Sequence, residues 1–597
     1  MKLPYITYAK NAFMRLQGCK VEKLKTYCGA KQPYNFSTLL HSNIFPYIIG
    51  PKNALAALLV LSSAAAYAQN DRKSMGDETV IIVTGYKPKL SDAVKIDVVP
   101  VQENINTAKP EITYKIPAFI YNTEPFKAKL SAPTLKQGPV SELHHHYAKL
   151  MFGNYADVNG EYIFNTLRNK NSLFTLHGKH HSGNGPVKDS RFSENMIDAF
   201  GKRVFSGHSI TGNLGYQRLA NRFYAQIPGD SITDADSTKQ RFNDIYFNTK
   251  FARANADTGK FQYGADLGIY NFSDFYKTGE TGFRIGASGV EPFRGSRIYA
   301  DASYQYWKYR TDTSIDRGLL RLAAGYKFIV NGFRADVGIK TASDETFHFY
   351  PNAKLEADII AKYLTLYGGI TGNIQENTFR QFAYENHFIA SDIRLKNTNE
   401  KLNLFGGAKG SFSNTSTFAV GLAYKNYKYL PFYLNDSVDK RRFNVLYDSN
   451  TNVFNVHAEA GLSIMENFIL GAAVNLNSYN LSTLTKAYHR PNFDAVITGR
   501  YNIANKIGIG ADLFFAGKRY GGTWLKDSAS NTYKLTDYDL GNIIDLNTNI
   551  SYAFGGNAKG LKAHLELKNI LGTQYQLWNF YPSRGFQITG GLSYSFL

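Results

Sequence analysis

Apolar and polar residues alternate with a period of two over the last twelve residues of the chain. One face carries Phe586, Ile588, Leu592, Tyr594 and Phe596, whereas Gln, Thr, Gly and Ser fill most of the positions between them. Because successive side chains of a strand point to opposite sides, this pattern predicts a strand with one apolar and one polar face. An aromatic residue next to the end is typical of the closing strand of an outer-membrane barrel. A soluble sandwich strand has the same period, so this segment alone leaves both folds open.

The same alternation recurs in five other segments, and this repetition favours the barrel. The segments are residues 261–269, 470–477, 507–515, 544–554 and 561–568. A water-soluble sandwich would bury its apolar faces and expose faces dominated by charge. Here the second face is largely Gly, Asn, Ser and Asp. The pattern therefore predicts strands with one face in lipid and the other in water.

Length and composition predict one large closed sheet. From about residue 143 onward there is no long amphipathic helical stretch and no change of composition that would divide the chain into several domains. The 42 Tyr and 41 Phe, against 3 Trp, suit aromatic girdles at both membrane interfaces, and a mean hydropathy of -0.32 is too polar for a helical membrane protein. At roughly twenty residues per strand and turn, residues 141–597 supply an all-β, transmembrane antiparallel barrel of about 22 strands.

The N-terminal region contains a secretion signal. Lys52 precedes an apolar run at 54–61, and small residues follow up to a predicted cleavage site formed by Ala66, Ala68 and Gln69. We therefore assign residues 1–68 to a leader whose signal peptide is about 51–68. Some fifty residues precede the signal, so we expect translation to start further in and residues 1–45 to lie outside the natural product. The alternative is an unusually long leader.

Cysteine and charge narrow the chemistry of the mature chain. Both cysteines, Cys19 and Cys28, lie in the leader, so we expect no disulfide, thiolate metal site or cysteine nucleophile in the mature protein. The leader holds eight Lys or Arg and one Glu, so the net charge of +20 for the whole sequence falls to +13 for the mature chain, which has no clustered basic tract. We therefore expect no nucleic-acid partner.

Proline marks the segment between the signal and the barrel. Residues 88–139 contain seven prolines, as many as residues 140–597. Proline removes a backbone donor and fixes its own backbone, so this stretch cannot form regular barrel strands. Residues 69–140 are therefore predicted to be a short irregular, extended segment in the periplasm or in the barrel mouth.

Two groups of residues resemble TonB-dependent outer-membrane receptors. The first resembles the TonB box, an extended segment that pairs with an edge strand of the energising protein; it consists of Glu78, Thr79, Val80, Ile81, Ile82, Val83 and Thr84. The second resembles the last two barrel strands of that family and the cluster between them; it consists of Leu565, Leu567, Asn569, Ile570, Leu571, Tyr575, Pro582, Arg584, Gly585 and Phe586. The resemblance implies a 22-stranded barrel and a part in uptake.

The chain also departs from that family. Its receptors fill the barrel with a globular plug, but only roughly sixty residues separate Thr84 from the first predicted strand, and these lack the Gly and Arg signatures of the plug. The chain is therefore similar to plug-less, receptor-like barrels of Bacteroidetes type. A barrel of this width is too wide for side chains alone to fill. The proline-rich segment, extracellular loops or a partner must occlude it, or it is an open pore.

Two functional interpretations follow, both in the outer membrane of a Gram-negative bacterium. The first is solute uptake, with the N-terminal segment as a gate or energy contact. The second is a plug-less structural or accessory barrel in an outer-membrane protein assembly. The expected partners are outer-membrane lipid, the barrel-assembly machinery, and a TonB-type energising protein or a surface lipoprotein. We expect no cofactor, and the C-terminal strand (586–597) is expected to carry the assembly signal.

Histidine offers the only hint of other chemistry. His144 and His146 open the first predicted strand and His177 flanks the third, which makes them weak candidates for a zinc or copper site. No carboxylate lies at a fitting spacing, so we expect no metal site. A barrel enzyme acting on lipid would need a Ser and His pair such as His208 and Ser209. Because no catalytic motif accompanies that pair, we expect the protein not to be an enzyme.

Overall fold

The computed structural model describes residues 144–596 apart from 167–168, 170, 229–235, 255–258, 414, 527–531 and 556–559. A sheet of 22 antiparallel strands closes on itself, because the first strand pairs with both the second and the last. The predicted all-β barrel of about 22 strands is therefore confirmed. The predicted leader, cleavage site, TonB-box-like segment and proline-rich segment lie outside the described residues.

The described elements follow one another as a meander. In chain order the strands are β1 (His146–Gly153), β2 (Asp157–Asn165), β3 (Ser172–Gly183), β4 (Phe192–Phe205), β5 (His208–Arg222), β6 (Lys239–Arg253), β7 (Gln262–Ser273), β8 (Gly279–Phe293), β9 (Ser296–Arg310), β10 (Ser314–Val330), β11 (Phe333–Ser343), β12 (Phe347–Ile360), β13 (Leu364–Gln375), β14 (Thr398–Ser413), β15 (Ser416–Lys428), β16 (Leu430–Asn435), β17 (Phe443–Asp448), β18 (Thr451–Met465), β19 (Phe468–Leu481), β20 (Phe493–Ile503), β21 (Ile507–Lys526), β22 (Tyr533–Ala553), β23 (Gly560–Lys568), β24 (Gln576–Trp578), β25 (Tyr581–Pro582) and β26 (Gln587–Phe596).

Two hairpins stand apart from the barrel wall, β16 with β17 and β24 with β25. A short helix, α1 (Phe379–Glu385), lies between β13 and β14, and a 3₁₀ turn (Asp236–Thr238) precedes β6. No helix in the described part of the chain is long and apolar enough to cross a membrane.

Side-chain exposure follows the predicted alternation in the closing strand. Leu592 of β26 is 51% exposed and Tyr594 is 49% exposed, whereas Thr589 and Ser593 are buried. Because the wall is a single closed sheet, the exposed apolar face is the outer face and the polar face lines the lumen. An outer surface of Leu, Ile, Phe and Tyr is suited to lipid.

The two ends of the barrel differ in their connections. At the end where β1 starts and β26 finishes, tight turns such as 206–207, 294–295 and 331–332 join the strands. In each of these turns both residues have positive φ and the second is glycine, the arrangement that hairpin twist favours. Long connections, including 376–397 and 429–450, lie at the other end. Barrels of this class have short periplasmic turns and long extracellular loops, so the second end is extracellular.

An aromatic belt surrounds the outer face near the periplasmic turns. Neighbouring rings stack, tilt or meet edge to face across adjacent strands. The pairs with their centroid distances include Phe412 with Phe418 (4.4 Å), His146 with Phe596 (4.6 Å), Phe468 with Tyr501 (5.5 Å) and Phe328 with Phe333 (5.8 Å). Amphipathic rings at this depth are typical of the boundary between lipid and water.

The two faces of the wall should respond differently to a charge. Leu214 of β5 is 55% exposed on the outer face, and the adjacent Asn213 faces the lumen, where its Nδ2 donates to Asp198 at 2.5 Å. Leu214→Arg should cost about 2 to 4 kcal/mol of unfolding free energy near the bilayer midplane. Asn213→Arg should cost little, because the guanidinium can pair with Asp198. Equilibrium unfolding in lipid vesicles checks this, and equal costs would contradict the assignment of the faces.

Candidate functional site

The long extracellular connections fold into the barrel and pack against its inner wall. We call these connections the cap: residues 223–228, 376–397, 429–450, 482–492 and 569–586. Buried apolar residues of the cap form one core with inward-facing residues of β5, β6, β7 and β9; its aromatic members are Phe223, Phe242, Phe272, Tyr309, Phe379, Phe382, Phe388, Tyr433, Phe443, Phe580 and Tyr581. The sequence left four possibilities for the lumen: occlusion by the proline-rich segment, by extracellular loops or by a partner, or an open pore. In the structure, extracellular loops of the chain occupy the extracellular end of the lumen.

Helix α1 places the apolar side of the cap against the wall. The Thr378 side chain accepts a hydrogen bond from the Gln381 backbone N–H (3.1 Å) and so begins the helix. Phe379 and Phe382, three positions apart on one helical face, are both fully buried. The Phe379 ring lies 5.5 Å from the ring of Phe272 on β7.

Two carboxylates of the wall hold α1. The Arg380 Nε donates to Asp244 Oδ2 of β6 at 2.8 Å, and the Tyr384 hydroxyl donates to the same oxygen at 2.6 Å. Glu280 of β8, which is fully buried, accepts a hydrogen bond from the backbone N–H of Phe379 at 2.7 Å. Charge-assisted hydrogen bonds of this kind are about twice as strong as neutral ones. The carboxylates of Asp244 and Glu280 therefore serve as cap anchors.

The environment of Arg380 keeps its guanidinium charged. Burial alone would lower the pKa of Arg380, but the Asp244 carboxylate outweighs that effect and holds the pKa above its usual value. The guanidinium also lies 4.4 Å from the centroid of the Tyr270 ring, which adds a cation–π contact. Burial, together with Asp244, raises the pKa of the Tyr384 hydroxyl, so Tyr384 remains a hydrogen-bond donor at neutral pH.

The ends of the segment 376–397 are attached to the wall as well. Arg317 of β10 donates to the backbone carbonyl of Asn377 at 2.7 Å. The Tyr309 hydroxyl of β9 donates to the backbone carbonyl of Ser391 at 2.6 Å, and the Ser391 hydroxyl donates to Asp274. Together with Asp244 and Glu280, these contacts tie the segment to four wall strands, β6, β8, β9 and β10, and to the turn after β7.

Aromatic rings join the cap segments to one another. Phe388 stacks on Tyr581 with ring centroids 3.6 Å apart, and Trp578 lies 5.5 Å from Phe443. Ile389 also forms a parallel backbone bridge with Phe443. These residues belong to three connections that start from separate parts of the ring of strands. The cap therefore extends across the lumen, since its segments meet in one core.

His489 lies at the centre of the cap and is neutral. Its Nδ1 lies 3.0 Å from the carbonyl oxygen of Tyr433, and its Nε2 accepts from the backbone N–H of Asn579 at 3.2 Å. The contact with the Asn579 N–H requires an unprotonated Nε2, so the proton of the neutral ring is on Nδ1. Burial, with the nearby Arg519 charge, lowers the pKa of His489 to about 3. His489 as a whole is 4% exposed.

The cap should lose stability in acid through His489. With an ordinary pKa near 6.5 in the unfolded chain and about 3 in the cap, the neutral form stabilises the cap fully above pH 6.5. That contribution disappears as pH falls from 6.5 towards 3 and amounts to at most on the order of 4 to 5 kcal/mol. Trp578, whose ring is 5.1 Å from His489, reports the change by its fluorescence. In His489→Gln, the change between pH 6.5 and 4 should largely vanish; an unchanged profile would contradict this role.

A cavity lies beside α1 on the inner wall. Its volume is about 420 Å³, within the range of small-molecule sites. The wall strands β6 to β9 and helix α1 line it; the polar lining includes Asn248, Arg284, Gln305, Glu376, Arg380 and Gln381. Arg284 and Gln305 lie inside their strands rather than at the extracellular rim. The cavity is therefore on the lumenal side of the cap.

The candidate histidines do not converge. His146 stacks on Phe596 at 4.6 Å on the outer face, whereas His177 faces the lumen and contacts Glu161 at 3.0 Å. His144 lies just before β1. In the part of the chain that the structure describes, no group of three His, Cys, Asp or Glu side chains could hold a metal ion. The weak candidate site is thus split between two faces, and the expectation of no metal site stays a prediction.

The hydroxyl and imidazole of the candidate pair also point apart. Ser209 faces the lumen and its hydroxyl donates to the Ala252 carbonyl (3.3 Å). His208 lies on the outer face, where its Nε2 contacts the Tyr263 hydroxyl at 3.0 Å. Adjacent residues of a strand face opposite sides, so this pair cannot act as nucleophile and base.

Residues of the C-terminal resemblance stabilise the last extracellular connection. The Asn569 Nδ2 donates to the backbone carbonyls of Thr573 (2.8 Å) and Arg584 (2.9 Å). The Arg584 guanidinium donates to Asp157 at the start of β2 (3.0 Å). These side chains therefore hold the connection between β23 and β26 against the neighbouring wall. An assembly signal in β26 stays a prediction.

Sequence reasoning missed the cap anchors. Asp244 and Glu280 are lumenal positions of ordinary strands, and acidic residues are common on a lumenal face. Their partner segment did carry a signal: residues 379–388 (FRQFAYENHF) contain four aromatic residues in a connection between two strands. Aromatic residues at that density in a loop indicate a loop that is buried.

Comparison with solved structures finds the same fold. The FrpB iron transporter from Neisseria meningitidis (F3-3 variant) is 10% identical and matches over 77% of this chain and 82% of that chain, with a TM-score of 0.61. The siderophore receptor PirA from Acinetobacter baumannii is 9% identical over 77% and 81%, with a TM-score of 0.58. The pyoverdine outer membrane receptor FpvA from Pseudomonas aeruginosa PAO1 is 10% identical over 77% and 80%, also at 0.58.

The likeness is one of fold. No family model and no curated protein matches the sequence. A closed barrel with an apolar outer face and the architecture of these proteins is located in the outer membrane of a Gram-negative bacterium. The three named neighbours are transporters and receptors rather than enzymes, in line with the expectation for this chain.

Proposed function

We propose that this chain takes part in solute uptake across the outer membrane and that the cap is the gate at the extracellular end. The observation that carries this proposal is the position of the cap inside the lumen, where the carboxylates of Asp244 and Glu280 hold α1. A solute that crosses the barrel must pass the level of the cap. The cap must therefore leave the lumen, at least in part, for passage to occur.

The architecture allows such a movement without disruption of the wall. Each cap segment begins and ends on barrel strands, while the wall is held by its own backbone ladder from β1 through β26. The contacts that must break are side-chain hydrogen bonds, ring contacts, the backbone bridge between Ile389 and Phe443, and a few single backbone hydrogen bonds. One of these runs from the His489 N–H to the Tyr520 carbonyl on the wall (2.7 Å). Loops with few backbone hydrogen bonds to the rest of a protein are the segments that open at the lowest free energy.

Proteins with the same fold support uptake over a purely structural role. The neighbours are, by name, an iron transporter, a siderophore receptor and a pyoverdine receptor. Uptake of a solute of some kind is the function that this chain would share with them. We also propose that the barrel is plug-less, of Bacteroidetes type, and closed by its own cap. A plug would have to be formed by residues 69–140, which lie outside the described residues.

A TonB-type energising protein is the proposed source of work for opening. Its contact would be the segment from Glu78 to Thr84, by the resemblance given above. Deletion of these seven residues should abolish energised uptake while the barrel still reaches the outer membrane. We further propose that lipid contacts the outer face and that the barrel-assembly machinery uses β26 during biogenesis. Uptake that persists after the deletion would exclude the TonB-type contact.

The competing role is a sealed structural or accessory barrel that binds an outer-membrane partner such as a surface lipoprotein. The packed core of the cap is the observation that favours it, since a permanent seal would need dense packing. Ion conductance in planar bilayers separates the two. A gate should open when its anchors are removed, whereas a permanent seal should stay closed.

A further inference from the structure

The cavity beside α1 offers more hydrogen-bond donors than acceptors. Arg284 of β8 makes one ion pair, from its Nε to Asp266 at 3.2 Å, and its side chain is 52% exposed. Among the described residues, neither terminal nitrogen of that guanidinium has a partner. A guanidinium edge of two free N–H-bearing nitrogens matches a carboxylate or phosphate, which it binds through two parallel hydrogen bonds.

The amide of Gln305 adds to this donor excess, and the amide of Gln381 supplies a further donor together with an acceptor. The Gln305 Oε1 is occupied by the Arg321 guanidinium, so the amide nitrogen of Gln305 is the group left for a ligand. The Gln381 side chain, on the lumenal side of α1, has no hydrogen-bond partner among the described residues and lines the same cavity. Glu376, the acidic group of the lining, is already paired with Arg321. The unsatisfied groups therefore favour a ligand that accepts hydrogen bonds.

We propose that this cavity binds a small solute through an oxyanion, a carboxylate or a phosphate, held by the free edge of Arg284 and the amides of Gln305 and Gln381. The ring of Trp307 lines the same cavity and gives the remainder of the solute an apolar surface. A volume of about 420 Å³ fits a small organic anion rather than a macromolecule.

The site lies on the lumenal side of the cap, and this position adds to the proposed function. Part of its lining belongs to α1, which is the segment that must move during opening. A solute that has passed the cap would meet Arg284 next. Only the position of the site on the solute's route through the barrel rests on the proposed function. Binding of the solute requires neither opening of the cap nor an energising protein.

Calorimetric titration of the full chain in detergent tests the site, with citrate and inorganic phosphate as separate probes. At least one probe should bind, and Arg284→Gln should weaken that binding by at least tenfold. Binding of citrate alone would identify a carboxylate site, and binding of phosphate alone a phosphate site. Arg500→Gln is the matched control, because Arg500 is a lumenal arginine of β20 that pairs with Asp512 (2.6 Å) away from the cavity. The control should bind as the wild type does.

A second variant of the cavity keeps the outcome decisive. Gln305→Ala should weaken binding as well, which covers the case in which Arg284→Gln fails to fold. Failure of both probes to bind the wild type, or equal losses in the Arg284 and Arg500 variants, would overturn the proposal. Because binding is measured without transport, its absence would leave the gate intact as a hypothesis. A barrel that binds citrate or phosphate but stays closed when the cap anchors are removed would exclude the gate alone.

Discussion

Asp244→Ala should convert the barrel from closed to intermittently conducting. The substitution removes the carboxylate that receives both Arg380 and Tyr384, and it leaves the guanidinium of Arg380 in a partly buried site without its counter-charge. Loss of one partner of a buried ion pair costs about 3 to 5 kcal/mol, and the lower end applies because the Arg380 side chain is 29% exposed. A cost of about 3 kcal/mol raises the open fraction roughly a hundredfold.

Single-channel recording in planar bilayers measures this directly. The matched control is Asp512→Ala, which removes a lumenal carboxylate paired with Arg500 (2.6 Å) on the wall. That variant loses a comparable ion pair without any contact to α1 and should stay as closed as the wild type. If both variants conduct equally, loss of wall stability rather than release of the cap explains the current, and Asp244 is not a cap anchor.

The barrel wall was predictable because its signal is local. Alternation with a period of two decides which face of a strand meets lipid, and in β26 the exposed residues are those that the pattern assigned to the lipid face. The number of strands followed from length, since each strand and turn uses a similar number of residues. The proline-rich and signal segments are also local predictions, but they lie outside the described residues.

The cap was not predictable in the same way, because its contacts join residues far apart in the chain. Asp244 and Arg380 are separated by 136 positions, and Tyr433 and Trp578 come from different connections. Nothing in the sequence near Glu280 distinguishes an anchor from any other lumenal acid. The sequence did limit the state of the lumen to four alternatives, and occlusion by extracellular loops was one of them.

The histidines show the limit of spacing arguments in strands. His146 and His177 lie close along the meander, so spacing alone allows them to share one metal site. The register settles their positions, since His146 pairs with Phe164 and His177 with Ile163, adjacent residues of β2 that face opposite sides. A one-residue difference in register thus separates the two rings by the thickness of the wall.

A reversible cross-link within the cap should control the conductance of the Asp244→Ala barrel. Ile389 and Phe443 form the backbone bridge between two cap segments, so their Cα atoms are close enough for a disulfide. The two natural cysteines, Cys19 and Cys28, precede the described residues and would be replaced by serine. The substitutions Ile389→Cys and Phe443→Cys also remove two buried side chains from the core of the cap. Because the disulfide can be formed and reduced in the same protein, the reduced state shows the effect of this lost packing alone.

The central claim is that separation of the cap segments opens the lumen. Single-channel current of the Asp244→Ala barrel with cysteines at 389 and 443 tests it most directly. Under oxidising conditions the disulfide should hold segments 376–397 and 429–450 together, and the current should fall to the level of the wild type. Addition of a reductant to the same membrane should restore the openings. Current that is equal in the oxidised and reduced states would contradict the claim that this cap is the gate.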